Sequence, residues 1–447
     1  MLTATIRLPT LSGMAKTYRP YCPDQMLLLP PSLQDWLPEN HLVYFVSDVV
    51  DNLDLDAIES FYEKEDRGQP PYHPRMMTKV LVYAYCVGVF SSRKIQKRLL
   101  EDVPFRVLAA GNQPDFRTIS DFRKIHHKAL EGFFQQVLRL AMKAGAIKLG
   151  RVAIDGSKVK ANASKHKAMS YGRMKAEERV LKEAVRKLLA QAKATDDEED
   201  ARYGKDKSGD ELPEELSRRE TRLKRIREAK RALEEEARKE AKEDGKSEED
   251  AKKAKPKEKA QYNFSDPESR IMKGADGFVQ AFNAQVAVES VSQMIVGQTV
   301  TQEANDKQQM EPMVTIIEQQ AGKKPKELLA DSGYCSEQNL EHLEKIKIVG
   351  YVATNRQKHG QPREACKRGP LPKSSTRVDR MKRKLQTRAG ANIYATRKSI
   401  VEPVFGQIKH ARGYKQFLMR GIEKVKAEWA LVCATHNILK MYRLIYD

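Results

Sequence analysis

Val152-Ala153-Ile154-Asp155-Gly156-Ser157-Lys158 is the stretch on which the fold turns. Three apolar residues lead into an aspartate, a glycine and a serine, so it reads as a short buried strand with a carboxylate at its carboxyl end, where α/β sheets carry their chemistry. Leu328-Leu329-Ala330-Asp331-Ser332-Gly333-Tyr334 repeats the pattern. An aspartate after an apolar strand is more often a turn or helix-cap residue when it stands alone. Here two such aspartates are joined by Glu402, which lies in a stretch, 394–409, with helical spacing.

Carboxylates from two adjoining strands and one helix can converge, and three of them can hold two magnesium ions through hard oxygen ligands. Pro403 disfavours the α conformation in the residue before it, so either a helix starts near Glu402 or one is kinked there. A helix starting at Glu402 would keep the glutamate ionised through its dipole; a continuing helix would put Glu402, Phe405 and Lys409 on one face.

The rest of the chain divides around these residues. Residues 1–39 read as an N-terminal arm and 40–147 as an all-α domain, with apolar residues at threes and fours through Leu42, Val46, Val49 and again through Leu130, Phe134, Val137, Ala141. Ser91 and Ser92 are placed to cap a helix, and Thr118 with Asp121 suggests a capping box. Arg93, Lys94, Lys97 and Arg98 form a basic stripe there, suited to DNA or to an ordinary solvated face.

Residues 148–447 read as a catalytic α/β domain, interrupted by a charged helical insertion at about 165–260. The first strand is expected at 149–155. Inside the insertion, helices near 174–194 and 214–243 form a protruding hairpin with a partly disordered tip; Leu223, Ile226 and Leu233 have heptad-like spacing, but Arg219 and Lys230 occupy seam positions. Beyond it the pattern predicts strands at 278–288 and 293–300, a helix at 305–321, a strand at 326–331, a helix at 336–346 and a strand at 347–353. A basic connector at 355–393 leads to the Glu402 helix and a last helix through Trp429, Leu431 and Leu439. The length of 447 residues leaves room for two or three domains, each with its own core.

From about Tyr18 to Tyr442 the chain resembles bacterial insertion-sequence transposases of the DDE type. The likeness is carried by Tyr18-Arg-Pro-Tyr-Cys-Pro-Asp-Gln25, Gly88-Val-Phe-Ser-Ser-Arg93, Pro114-Asp-Phe-Arg-Thr-Ile-Ser-Asp-Phe-Arg123, Asp155-Gly-Ser-Lys-Val-Lys-Ala-Asn162, the segment from Asp266 to Asn283-Ala-Gln285, and Asp331-Ser-Gly-Tyr334. That resemblance implies a ribonuclease-H-like mixed sheet flanked by helices, whose first and fourth strands are neighbours. It implies Asp155, Asp331 and Glu402 as catalytic and metal-binding residues, with magnesium as the cofactor and manganese as the alternative. The family pattern Tyr-x2-Arg-x3-Glu-x6-Lys maps onto Tyr394, Arg397, Glu402 and Lys409, except that four residues separate Arg397 from Glu402, so Lys398 competes for the arginine's place. Implied partners are the double-stranded DNA of the terminal inverted repeats and of the target, in complex with a homodimer. The family-like sequence begins at Met14, and Met1 to Gly13 show no pattern that would tie them to a core.

Charge distribution agrees. Net charge is +20, which points to a polyanionic partner. Residues 171–260 hold 27 Lys and Arg against 25 Asp and Glu, whereas 355–447 hold 22 against 6, so the excess sits beside Glu402. Lys382, Arg383 and Lys384 in that region, together with Tyr394, Arg397, Lys398 and Lys409, and with Arg93, Lys94 and Lys97 in the helical domain, are the DNA-binding candidates.

Other classes fare poorly. The sequence has no Gly-x4-Gly-Lys-Ser/Thr loop, no Gly-x-Ser-x-Gly elbow and no His-Glu-x-x-His helix. Its five cysteines form no C-x-x-C pair, as expected of reduced thiols. The longest apolar run is too short for a bilayer, so the expected location is the cytoplasm, on the nucleoid. A transposase that has lost catalysis and only binds DNA, or a nuclease that does not transpose, are the competing functions.

Overall fold

Apolar runs such as Val152–Ile154 and Leu328–Ala330 must be covered on both faces. The computed structural model, which describes residues 32–63, 70–203, 214–243, 247–274, 277–355, 366, 369, 372 and 374–446, shows how this is done. After a 3-10 turn at Leu33–Trp36 come seven helices: α1 (Leu42–Asp51), α2 (Asp56–Tyr62), α3 (Pro74–Cys86), α4 (Ser92–Glu101), α5 (Val103–Leu108), α6 (Phe116–Ile125) and α7 (His127–Lys143). The Asp115 carboxylate caps α6 by accepting from Arg117 N and Thr118 N at 2.7 and 2.8 Å. Thr118 and Asp121 therefore form no capping box, because the aspartate three residues earlier already holds those amides. Ser91 occupies the cap position of α4 without a side-chain cap bond.

The sheet begins with β1 (Arg151–Lys160), longer than the predicted strand, so Asp155 lies within it rather than at its end. An insertion follows: β2 (Ala168–Ser170), α8 (Tyr171–Tyr203), α9 (Glu214–Glu243), α10 (Glu248–Lys253) and β3 (Gln261–Asn263), with β2 and β3 paired antiparallel at its base. The chain returns through β4 (Arg270–Gly274), β5 (Gly277–Glu289), β6 (Ile295–Thr301), α11 (Met310–Ala321), β7 (Glu327–Ala330), α12 (Glu337–Lys345) and β8 (Val349–Val352). It ends with α13 (Arg377–Gln386), α14 (Arg388–Gly406), a π-helical turn (Gln407–Ala411) and α15 (Ile422–Tyr446).

Strand order is β4-β5-β1-β7-β8, with β6 also on β5. β1 runs antiparallel to β5 and parallel to β7, and β7 parallel to β8. Of the five core strands β1, β5, β6, β7 and β8, the first and fourth are thus neighbours, as the ribonuclease-H-like arrangement requires. Helix α11 starts at Met310 rather than near 305, which frees 302–309 as a loop over the sheet. Part of the expected connector is helical: Thr376 and Asp379 build a capping box that starts α13.

The helical region does not keep a core to itself. α7 and α3 pack on α15, and their buried side chains run without a break into those of the sheet. Fully buried Trp429 on α15 stacks near Phe405, Tyr414 and Phe417 and donates to Gln285 O at 3.2 Å. Buried Arg123 of α6 donates to the Tyr85 hydroxyl at 3.1 Å, which locks α6 to α3. Among the described residues one separate cluster stands apart, in the insertion, where Tyr171, Met174, Leu181, Leu223, Ile226, Ala229 and Leu233 pack α8 against α9. The tip of that hairpin, 204–213, where disorder was expected, lies outside the described residues, as does the motif 18–25.

Lys230, an awkward residue for a coiled-coil seam, is accommodated by Glu178 of α8, at 3.1 Å; Lys182 and Arg227 reach the same carboxylate at 2.8 and 3.4 Å. The hydrogen bond from Lys182, then that from Lys230, bring the Glu178 carboxyl down to about 2. A depressed folded pKa gives stability that is present above the unfolded value of 4.5 and lost as pH falls toward 2. Helicity of the native chain, followed by circular dichroism in thermal melts between those limits, is expected to fall with pH more steeply than in Glu178→Gln.

Candidate active site

Parallel pairing of Arg151, Val152 and Ala153 with Glu327, Leu328 and Leu329 sets the site. An ion pair between Arg151 and Glu327, 2.6 Å, fixes the register at its start. Beyond Ala153 the two strands diverge from the ladder, and the next outward residues are Asp155 on β1 and Asp331 just after β7. Each aspartate commits one oxygen to a nearby backbone amide: Asp155 Oδ1 accepts from Gly156 N within β1 and Asp331 Oδ1 from Gly333 N in the turn after β7, both at 2.9 Å. The second oxygen of Asp155 pairs with Arg397 Nη1 at 3.3 Å.

Arg397 arrives from α14, which runs unbroken through Glu402 from its Thr387 cap, so no helix starts at the glutamate. Gly390 is obligatory in that first turn, because a Cβ there would stand 2.0 Å from Lys384 O. Pro403 lacks the N–H that would bond Ser399 O, and Gln293 Nε2 fills the vacancy at 2.9 Å. The inward face carries Tyr394, Arg397, Val401 and Val404; Glu402, about 100° on from Val401, is exposed. Among the described residues Glu402 has no hydrogen bond or ion pair, and no group of three His, Cys, Asp or Glu is gathered to hold a metal ion. Of the two candidates for the arginine's place in the motif, Lys398 is exposed and Arg397 pairs with Asp155.

Within the π turn, Lys409 faces β1 rather than continuing the Glu402 face: its ammonium donates to Ser157 Oγ at 2.5 Å and to Lys158 O at 2.8 Å. Such turns frequently mark functional positions. Burial, with Lys158 nearby, lowers the Lys409 ammonium to about 8. Burial pushes the Asp155 carboxyl up to about 6; Arg397 opposes the shift and Asp331 adds to it. The half-buried Tyr394 hydroxyl is raised chiefly by burial, close to Arg397, Asp331 and Asp155.

These donors fit a hard divalent cation. Two carboxylates on adjoining strands, just past their shared ladder, each keep an oxygen off the backbone, and that of half-buried Asp155 already attracts a positive group, Arg397, to it. Sequence reasoning overlooked Asp306, whose Oδ1 accepts from Asn283 and Gln285 beside Gly156. Asn-x-Gln on alternate positions of a strand, followed by Asn-Asp in the next loop, was the available signal.

The remaining candidates lie elsewhere. Arg93, Lys94 and Lys97 are exposed on α4, Arg93 lies 4.8 Å over the Phe116 ring, and Lys97 pairs with Glu101 at 3.7 Å. On α13, Arg383 donates to Gly369 O at 2.7 Å and Lys384 to Gly350 O at 2.8 Å, the latter ammonium resting 3.9 Å from the centre of the Tyr351 ring. Lys384 thereby anchors α13 to β8. Lys382 is half-buried on the same helix.

Residues 31–125 match a family model described as a transposase domain (DUF772), and residues 356–442 match one described as a transposase DDE domain. The second spans Glu402 but neither aspartate. Both matches are consistent with an insertion-sequence DDE transposase. No curated protein and no solved structure matches the chain. Among the described residues no helix is long and apolar enough to cross a membrane.

A raised carboxyl pKa gives stability that is full below the unfolded value of 3.8 and lost as pH rises through about 6. In metal-free buffer the native chain is therefore expected to lose stability relative to Asp155→Asn over that interval, as read by chemical denaturation at fixed pH values. Parallel pH profiles would assign the burial cost to another group.

Proposed function

We propose that this chain, with transposase matches at both ends of its described structure, is a DDE transposase that cuts DNA at the terminal inverted repeats of an insertion sequence and joins the freed 3′-hydroxyl to target DNA. The observation that carries the reading is the parallel β1–β7 pairing, which sets Asp155 beside Asp331 under Arg397. Asp155 and Asp331, with Glu402 as third carboxylate, would hold magnesium, or manganese in its place, which supplies charge stabilisation at the attacking and leaving oxygens of the phosphodiester. Glu402 owes its place to the motif shared with Tyr394, Arg397 and Lys409, and its exposure leaves its carboxylate free.

The chain's own groups do the positioning. Arg397 balances the half-buried Asp155 charge until the site is loaded, and Tyr394 packs beside it. Lys409, held against Ser157 two residues from Asp155, is placed to meet a backbone phosphate. Lys398, Lys382 and Arg383 add positive surface on the same side of the sequence, whereas Lys384 contributes through its anchoring of α13. Arg93, Lys94 and Lys97 on α4 face the terminal repeats, within a helical unit proposed at 40–147; 1–39 forms the arm and 148–447 the catalytic unit around its 165–260 insertion. A homodimer bridging two ends, working on nucleoid DNA in the cytoplasm, completes the reading.

Asp155→Ala, Asp331→Ala, Glu402→Ala and Glu402→Gln are each expected to abolish strand cleavage of end DNA in magnesium while binding persists, because ligands are lost and phosphate contacts are kept. Normal cleavage by any of them would remove that residue from the site. Replacing Arg93, Lys94 and Lys97 with Ala is expected to weaken end binding and to flatten its salt dependence by up to about 0.9 log units per lost phosphate contact. An unchanged slope in a salt titration would make that stripe an ordinary solvated face.

A further inference from the structure

Asp306 sits in the loop between β6 and α11. Its Oδ1 accepts from Asn283 Nδ2 and Gln285 Nε2, both at 2.7 Å, and lies 3.6 Å from Lys158 Nζ. Asn283 and Gln285 are alternate residues of β5 that stand opposite Lys158 and Gly156 of β1. One carboxylate oxygen therefore spans both strands immediately after Asp155. Gln285 carries the link onward, since its Oε1 accepts from the Tyr334 hydroxyl, and Tyr334 closes the turn that Asp331 opens. Asn339 clamps the two segments together, donating to Lys307 O and to Tyr334 O at 2.7 Å.

Two observations go beyond scaffolding. Asn283 is fully buried, yet its Oδ1 has no hydrogen-bond partner among the described residues. That oxygen and Asp306 Oδ1 crowd together over Gly156, where a Cβ would stand 2.9 and 2.7 Å from them and 2.2 Å from Gln285 Nε2. An orphaned buried acceptor beside a carboxylate is costly by itself and becomes favourable where positive charge is brought in. In addition, the other Asp306 oxygen lies close to Asp331: a Cβ on Gly333 would stand 3.0 Å from Asp331 Oδ1 and 3.7 Å from Asp306 Oδ2.

We propose that Asp306 is a positioning residue for Asp155 and Asp331: it holds strand β1 and the Asp331 turn at a fixed separation and adds its charge to the field that draws a divalent cation to them. Its Oδ1 is taken up by the two amides, and it is not offered as a ligand. This rests on the metal-dependent reading above.

Asp306→Asn keeps an oxygen for the two amides and removes the charge. Manganese titrated into the full chain without DNA, followed calorimetrically, gives a readout independent of cleavage. Asp306→Asn is expected to bind manganese about 10- to 100-fold more weakly, the range for groups that support a metal's ligands, while its melting temperature stays close to that of the native chain. Lys158→Met, which strips Asp306 of its counter-charge, is expected to bind manganese more tightly than the native chain. Native affinity in Asp306→Asn overturns the proposal; if that variant fails to fold, unchanged or weaker affinity in Lys158→Met overturns it instead. Asp155→Asn separates the two levels of argument. If it binds manganese as the native chain does, the metal-dependent reading fails and the role of Asp306 falls with it; if it loses manganese while Asp306→Asn does not, only the role of Asp306 fails.

Discussion

Three residue pairs of parallel ladder between β1 and β7 are the constraint on which the rest depends. A parallel pair cannot be joined by a tight turn, so the chain must leave β1, build β5 and β6, cross through α11 and come back alongside. The return places Asp331 beside Asp155 although 175 positions separate them in the sequence numbering. The insertion between β1 and β4 exploits the same geometry: β2 and β3 close its base antiparallel, so a long hairpin with its own apolar cluster can hang from the fold without moving the ladder.

Placing two acidic groups together has a cost that the surroundings partly offset. Burial and mutual repulsion act against ionised Asp155, and Arg397 reduces that cost with an ion pair whose side chains are only 11% and 22% exposed. Breaking one partner of such a pair commonly costs more than the pair contributes, so α14 is held in place by electrostatics as well as by Val401 and Val404. The helix can afford its internal proline because Gln293 takes the carbonyl that Pro403 leaves free. On the opposite side Trp429, packed under β5, and the buried Arg123 and Glu428 join the N-terminal helices to the last helix, which makes the helical region part of the same core.

Much of this was legible in residue order. Apolar triplets ending in Asp155 and Asp331 located both strands, and helical spacing located α1, α7, α11, α12 and α15 to within a few residues. The misses have physical causes. β1 runs on past Asp155 because β5 pairs with it as far as Lys160, a tertiary partner that no local pattern announces. Asp115, rather than Thr118, caps α6 because its carboxylate reaches two amides at once. α13 was hidden in a basic stretch with few apolar residues, its start marked only by Thr376 and Asp379. Asp306 was passed over because it stands in a polar loop, and only the register of β5 shows what it touches. The helical face of Glu402 was equally beyond local reasoning, because the π turn after it redirects Lys409 toward β1.

The central claim is that Asp155 and Asp331 form one cation-binding pair at the end of the β1–β7 ladder. Crystals of the full chain soaked in manganese, with an anomalous difference map, test it most directly. The account predicts the strongest peak within about 2.2 Å of a carboxylate oxygen of each aspartate. A peak bound elsewhere with these two carboxylates unliganded, or the two aspartates found too far apart to share an ion, would contradict it.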